Sequence, residues 1–398
     1  MTQHSKILVI GGGTAGITVA ARLRRANAPG VTVLEPSQTH YYQPLWTLVG
    51  GGRATLGESA RREASVMPRG TRWIKDRATT VDPAAHLVTT ADGARLEYDR
   101  LVVCPGIQLD WHRVPGMAEA VRTPYASSNY LPELASKTWE LIRGLRRGTA
   151  VFTMPSGPIK CGGAPQKIAY LAADHWRRQG VLKDIRVVLV LPTPAMFALP
   201  AFSEELARVA ARYGIEVRLN SELTEVDGDS RKAVIVDNAD GSRESIGYDL
   251  LHTVPPQSAP DWIKDGPLAD PDNPAGYVQV DKYTLRHERH PDVFALGDAG
   301  STPNSKTGAA VRKQAPVVVR NLLATMAGRE PTARYDGYAS CPITTAQDRM
   351  LLAEFDYTMR HTPSIPLIDT TRERRDMWYL KRYGLPFLYW RLMLRGLA

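Results

Sequence analysis

The residues of this chain with the clearest chemical potential are three cysteines, one spaced set of glycines and two carboxylates at strand ends. Cys161 lies in "PSGPIKCGGAPQKI" at 155–168. Gly157, Pro158, Gly162 and Gly163 make that stretch a turn rather than core, and Lys160 and Lys167 supply the positive charge that lowers a thiol pKa. Cys341 lies in "YDGYASCPITTAQ", another non-helical, aromatic-rich segment 180 residues further on. A disulfide needs two Cα atoms within about 7 Å, so the sequence alone does not pair them. Cys104, in "LVVCPG", fits a strand-end turn and is read as a packing residue. A sparse, odd set of cysteines argues against a structural disulfide framework, and any bond that does form is expected to be catalytic.

The glycines are spaced Gly11-x-Gly13-x-x-Gly16, between the apolar strand of "KILVIGGG" and the helical pattern Ile17, Ala20, Ala21, Leu23. That spacing gives a tight turn, close approach of backbone to a pyrophosphate, and close packing of helix on strand. Gly12 and Ala15 belong to the same turn. The helix N-terminus then faces phosphates. A second strand, "VTVLEP", ends on Glu35, nineteen residues after Gly16, where a carboxylate accepts ribose hydroxyls. Strand, turn, helix and acid agree on a dinucleotide site.

Further along, "HPDVFALGDAG" reads as an apolar strand ending on Gly297 and Asp298, followed by a helical run from Gly308. This strand resembles the one with which two-dinucleotide-binding-domain flavoproteins close their FAD site, the aspartate reaching the ribityl chain. The resemblance implies FAD, and a discontinuous first domain at 1–118 and 276–330. It also assigns Ala78, Gly106, Lys306 and Gly308 to cofactor binding. Between the two parts, "GTAVFTMPS", "APQKIAYLAADHWRRQG" and "DIRVVLVLP" give a second β/α/β pattern at 119–275. Its first strand is followed by no GxGxxG and its second ends in "LPTP" without an acid, so a working NAD(P)H site is not expected. The loop that would cradle pyrophosphate presents Cys161 instead.

Composition sets outer bounds. With 398 residues, 43% hydrophobic and 23% charged, two or three packed units of a soluble globular protein are expected. No apolar run is long enough for a transmembrane helix, and the N-terminus has no room for a signal peptide before its first strand. A net charge of +9 suits an anionic partner, but the basic residues are dispersed and no nucleic-acid-binding motif accompanies them. The histidines show no metal-ligand spacing, and His287 and His290 read as surface residues of a loop.

Six runs together resemble the sulfide:quinone oxidoreductases, of the type found in mitochondria. They are "HYYQPLWTLVG" (40–50), "PIKCGGAPQKI" (158–168), "SKTGAA" (305–310), "YDGYASCP" (335–342), "AEFDY" (353–357) and "PFLYWRLMLRG" (386–396). The resemblance implies an α/β fold of two Rossmann-like dinucleotide-binding domains, of disulfide-reductase-like flavoprotein type, plus a C-terminal membrane-interaction segment at 331–398. It implies Cys161 and Cys341 as a redox-active pair, with hydrosulfide attacking Cys341 to form a persulfide and Cys161 leaving as a thiolate that donates to FAD. A small sulfur acceptor, such as glutathione, sulfite or growing polysulfide, takes the sulfane sulfur. Lys167 and Lys381 line its path, and Gln43 lies near FAD. Quinone reoxidises the flavin at a face lined by His40, Tyr41, Tyr42 and Trp46. Arg312 and Lys313 depart from the small residues usual in the family.

From Arg372 to Ala398 the chain holds seven basic residues against two acidic ones, with six aromatics between Trp378 and Trp390. Two amphipathic segments broken at Gly384 and Pro386, with Trp378, Phe387, Tyr389 and Trp390 among the cations, suit a peripheral, monotopic position on the cytoplasmic face of a membrane. A homo-oligomer is left open. The competing readings are a type II NADH:quinone oxidoreductase, which would need the missing nicotinamide loop, and a non-enzymatic, membrane-associated redox-sensing flavoprotein, which would not need its thiols. A flavin-dependent disulfide reductase would need a CxxxxC pair in the first domain.

Overall fold

The computed structural model describes residues 2–398. Its first sheet is built on the strand Thr2–Ile10, whose residues Ile7 to Ile10 are all buried, as expected of a parallel strand covered on both faces. Val31–Leu34 and Arg95–Val103 pair with it in parallel, and Arg72–Ile74 extends the sheet beyond Val31–Leu34. The long strand Arg95–Val103 divides its outer edge. Its start pairs antiparallel with Leu87–Thr90, and its end pairs parallel with Val293–Ala295. That last pairing returns the chain to the first sheet after the whole intervening unit and brings the carboxyl ends Ile10, Leu34, Val103 and Ala295 to one edge. The helices Thr14–Arg25 and Gly308–Met326 share one core through Ile17, Ala20, Leu23, Val311, Val318 and Leu322.

The second unit is a five-stranded parallel sheet in the order Ala126–Ser127, Leu250–His252, Gly148–Thr153, Ile185–Val190, Glu216–Arg218. The helix Ala164–Arg178 covers it, burying Tyr170, Leu171 and Trp176 with Phe152. At the end of the strand Gly148–Thr153, the crevice beside Met154, Glu222 and Val254 holds about 210 Å³. That is less than the roughly 300 Å³ at which small-molecule pockets begin. A hydrogen bond from Ser156 to Glu222 ties its rim.

The hairpin Ala339–Ala346/Arg349–Phe355 lies against helix Ala164–Arg178. Two contacts fix its position. The Gln347 N–H donates to the buried Asp174 carboxylate (2.9 Å), and the Gln347 amide donates to the Leu171 carbonyl (3.1 Å). After it, residues 375–395 form one continuous helical run, where two segments broken at Gly384 and Pro386 are expected from the sequence. The run passes through both residues by widening to π-type turns at Leu380–Gly384 and Leu388–Leu392. A wider turn relieves the clash and the missing donor that proline imposes on an α-helix. His287 is also corrected from surface to buried. Its Nδ1 accepts from the Arg289 and His290 N–H groups, so its Nε2 donates to the Leu268 carbonyl and the ring caps its own turn.

Candidate active site

The glycine turn has the shape its spacing predicts. A Cβ on Gly11 would lie 2.4 Å from the Cys104 carbonyl oxygen, and one on Gly16 would lie 1.7 Å from the Gly11 carbonyl oxygen, so neither position admits a side chain. At Gly13 a Cβ would meet nothing within 4 Å. That space lies at the N-terminus of helix Thr14–Arg25, which has no side-chain cap. Glu35 accepts from the Gly12 N–H (2.6 Å) and the Ser37 N–H (2.6 Å). Burial raises the Glu35 carboxyl above its ordinary range, and these two bonds oppose the rise. Ala78 packs in the apolar cluster that holds Ile10, Leu34 and Val103. Gly106 takes a left-handed backbone (φ 83°) two residues beyond Cys104.

Asp298 follows the strand Val293–Ala295, and the Gly297 before it would carry a Cβ only 3.2 Å from that of Ala15. The turn bearing Asp298 therefore abuts the glycine turn. Burial raises the Asp298 carboxyl, and the cations Lys306 and Lys160 oppose the rise. Lys306 donates to the Gly300 carbonyl (2.8 Å) and sits 3.8 Å from the centre of the Tyr277 ring; burial lowers it to about 8. Gly308 opens the helix behind it, capped by Thr307. An open phosphate cradle, a ribose acid and a buried aspartate flanked by lysines fit the two halves of FAD. Arg312 is half-buried and Lys313 exposed, and it is the buried Gln314 that reaches back to accept the Gly297 N–H (2.9 Å).

Cys161 and Cys341 are brought together. Cys161 sits three residues before helix Ala164–Arg178, in a left-handed backbone (φ 57°), its N–H bonded to the Lys306 carbonyl (2.9 Å). Cys341 comes from the hairpin that overlies this helix. Both are free thiols, and each lies in the electrostatic field of the other. Interaction with Cys341 holds Cys161 well below the ordinary thiol range, and interaction with Cys161 together with burial holds Cys341 well above it. Lys167 reinforces the first effect, its ammonium donating to the Cys161 sulfur at 3.1 Å, and the Lys381 charge adds to it. Lys381 reaches in from the C-terminal run, is buried, and donates to the Pro44 carbonyl (2.9 Å). Burial first, and then the Lys167 charge, push Lys381 down to about 7.

Lys160 is corrected. It does not face the thiol but turns the other way, donating to the Gln43 side chain (2.8 Å) between the rings of Trp46 and Tyr130, and is lowered by burial to about 8. Ser305 opens the run "SKTGAA" but has no role assigned from the sequence, and its hydroxyl lies 3.9 Å from the Cys341 sulfur. Cys104 is buried, and burial raises its thiol far above the ordinary range. Two aromatics assigned to the membrane segment are corrected, because Trp378 and Tyr389 are buried, and Trp46 of the expected quinone strip is buried as well. Tyr41 stands edge-on to Trp46, and Trp390 is half-buried beneath Arg61. Phe387 is exposed, and so are Tyr379 and Tyr383, at spacings of four.

The chain matches the pyridine nucleotide-disulphide oxidoreductase family over residues 5–315. It is 40% identical over 397 residues to the mitochondrial sulfide:quinone oxidoreductase of Mus musculus, covering 99% of this chain and 87% of that protein. It is 40% identical over 395 residues to the corresponding protein of Dictyostelium discoideum, covering 98% and 86%. Among solved structures, the sulfide:quinone oxidoreductase of Aquifex aeolicus superposes with a TM-score of 0.81 at 18% identity, covering 99% of this chain and 92% of that one.

Proposed function

Because this chain belongs to the sulfide:quinone oxidoreductases of the pyridine nucleotide-disulphide oxidoreductase family, we propose that it oxidises hydrosulfide at Cys161 and Cys341 and passes the electrons through FAD to a quinone. The observation that carries the residue assignment is the Lys167 ammonium 3.1 Å from the Cys161 sulfur, beside Cys341 of the overlying hairpin. In the oxidised pair, hydrosulfide sulfur bonds to Cys341 and the bridge breaks. Cys161 keeps the electron pair, because its surroundings favour the thiolate and a low-pKa thiol leaves fastest. A sulfur acceptor takes the outer sulfur from Cys341, and the bridge re-forms as the two thiolates give up two electrons. FAD supplies a two-electron acceptor that hands those electrons on to quinone. Lys167 holds the Cys161 thiolate, and Lys381 places a second charge beside both sulfurs. Gly11, Gly12, Gly13, Ala15, Gly16 and Glu35 would hold the adenosine and pyrophosphate. Gln43, Asp298, Lys306 and Gly308 would lie along the flavin half. In an anaerobic mixing experiment, sulfide bleaches the flavin absorbance of the wild type and NADH does not. Bleaching by NADH would instead support a type II NADH:quinone oxidoreductase.

The pH dependence follows from Lys381. Its ammonium is charged below about pH 7 and neutral above, against an ordinary lysine value of 10.5. Loss of a cation beside the thiolate and an anionic substrate lowers rate, so kcat/KM for sulfide falls as pH rises through about 7. In Lys381→Met this limb disappears and the low-pH value drops about tenfold. Ionisation of free sulfide affects both proteins alike and cancels in the comparison. A limb that persists in the variant rules out this role.

The membrane contact belongs to one face of the C-terminal run. Tyr379, Tyr383 and Phe387 are 61%, 57% and 61% exposed, and Arg391 and Arg395 continue the same stripe at spacings of four. Aromatics followed by cations along one face suit the headgroup layer, each cation near an anionic surface being worth about 1 kcal/mol. Among the described residues no helix is long and apolar enough to cross a membrane, so this stripe would lie on the surface. The triple variant Tyr379→Ser/Tyr383→Ser/Phe387→Ser is expected to co-sediment with anionic phospholipid vesicles at least about tenfold more weakly. Its turnover with a water-soluble quinone is unchanged. Equal sedimentation of the two proteins would place the membrane contact elsewhere.

A further inference from the structure

A buried hydrogen-bond chain joins the C-terminal run to the glycine turn. Tyr389, 3% exposed, places its hydroxyl 2.6 Å from His40 Nε2 and 2.9 Å from the Thr14 hydroxyl, and stacks 4.4 Å from the Tyr42 ring. His40 Nδ1 lies 3.1 Å from the Gly12 carbonyl oxygen and 3.2 Å from Glu63 Oε2. His40, Glu63 and Tyr389 are all at least nine-tenths buried. A carbonyl only accepts, so Nδ1 carries a proton directed at Gly12 and Glu63, and Nε2, the Tyr389 hydroxyl and the Thr14 hydroxyl continue the chain. Gly12 is thereby held in both of its peptide units, its N–H by Glu35 (2.6 Å) and its carbonyl by His40. The peptide unit that carries the Gly12 carbonyl also carries the Gly13 N–H, at the open N-terminus of helix Thr14–Arg25.

The same run follows that helix along its length. Tyr389 meets it at Thr14, and Gly396 lies against Arg22 so closely that a Cβ there would be 2.9 Å from the Arg22 nitrogen. We propose that Tyr389 and His40 are positioning residues for the cofactor: a clasp through which the docked C-terminal run shapes the glycine turn to receive the FAD pyrophosphate. The clasp rests on the reading that FAD occupies this turn. By linkage, whatever docking of the run adds to FAD affinity, bound FAD adds to docking by the same factor.

The test is FAD titration of deflavinated full-length protein, read by quenching of flavin fluorescence, together with thermal unfolding of the same apoproteins. Tyr389→Phe removes one hydroxyl and leaves the Tyr42 stacking in place. Tyr389→Phe and His40→Asn are each expected to weaken FAD binding about three- to tenfold, the scale of a lost buried hydrogen bond. The double variant is expected to be weaker than either single by much less than the product, because both break one chain. Tryptic cleavage at the exposed Arg391 and Arg395 gives the reciprocal readout. FAD slows it in the wild type and slows it less in Tyr389→Phe. If apoprotein stability falls while FAD affinity and FAD protection match the wild type, the residues only pack and the proposal is wrong. Wild-type protein that fails to bind FAD sinks the cofactor reading and the clasp with it, whereas wild-type binding with unaltered variants sinks the clasp alone.

Discussion

Cys341→Ser and Cys161→Ser each lower sulfide-dependent quinone reduction by about 10³-fold or more, the scale for removing a residue that bonds covalently to the substrate. The two act as a unit, so the double variant is no slower than either single one. The serine at 161 cannot leave as a stabilised anion even with Lys167 at 3.1 Å from the atom it replaces. The serine at 341 cannot accept the incoming sulfur. Both side chains are nearly isosteric with cysteine, and FAD content and thermal unfolding are expected to match the wild type. Single-turnover mixing with sulfide separates this mechanism from one in which the thiols are passive. Reduction of the flavin at the wild-type rate in either variant would falsify the assignment. Cys104→Ser supplies the internal control. Its thiol is buried with its sulfur 3.9 Å from the Gly11 carbonyl, and turnover is expected to stay within about twofold of wild type.

Gly13→Ala weakens FAD binding without unfolding the protein. The Gly13 backbone (φ −71°, ψ −164°) is open to alanine, and no protein atom lies within 4 Å of where the new methyl would sit. The methyl occupies space that only a ligand needs. Apoprotein unfolding therefore shifts by no more than about 2 °C, while FAD binds about 10- to 100-fold more weakly. Gly16→Ala is the contrasting change. Its methyl would fall 1.7 Å from the Gly11 carbonyl oxygen, so helix and strand must separate and the apoprotein itself loses stability. Equal FAD affinity in Gly13→Ala and wild type would mean that the pyrophosphate approaches the turn from another side.

Much of the cofactor half was legible because its signals are local. The run from Lys6 through Gly16 and on to Glu35 is one strand–turn–helix–strand unit, and each residue's part is set by neighbours within a few positions. The helix from Gly308 was legible for the same reason, running to Met326 through Pro316. The two cysteine motifs were visible as turns and as family resemblances, but no local pattern says that residues 180 apart meet. Their meeting depends on how the hairpin that carries Cys341 seats on helix Ala164–Arg178, through contacts such as Gln347 with Asp174.

The C-terminal run shows the limit most plainly. Six aromatics among cations were read as one membrane-facing set, and composition cannot sort them further. The tertiary fold buries Trp378 and Tyr389 against the rest of the molecule and leaves Tyr379, Tyr383 and Phe387 outside. The π-type turns set that division, because they carry the helix through Gly384 and Pro386 and keep a spacing of four in register with the surface beneath. Lys160 and Lys167 divide in a similar way. Both are cations near one thiol in sequence, but the left-handed backbone at Cys161 separates them, and only Lys167 reaches the sulfur. By itself, the sequence determined the elements and the dinucleotide turn and singled out the two cysteine motifs as candidates, since each rests on residues that are neighbours along the chain. The tertiary structure alone decided that the two cysteine segments meet, which lysine reaches Cys161 and which aromatics face outward, because charge and burial act through space across elements far apart in the sequence.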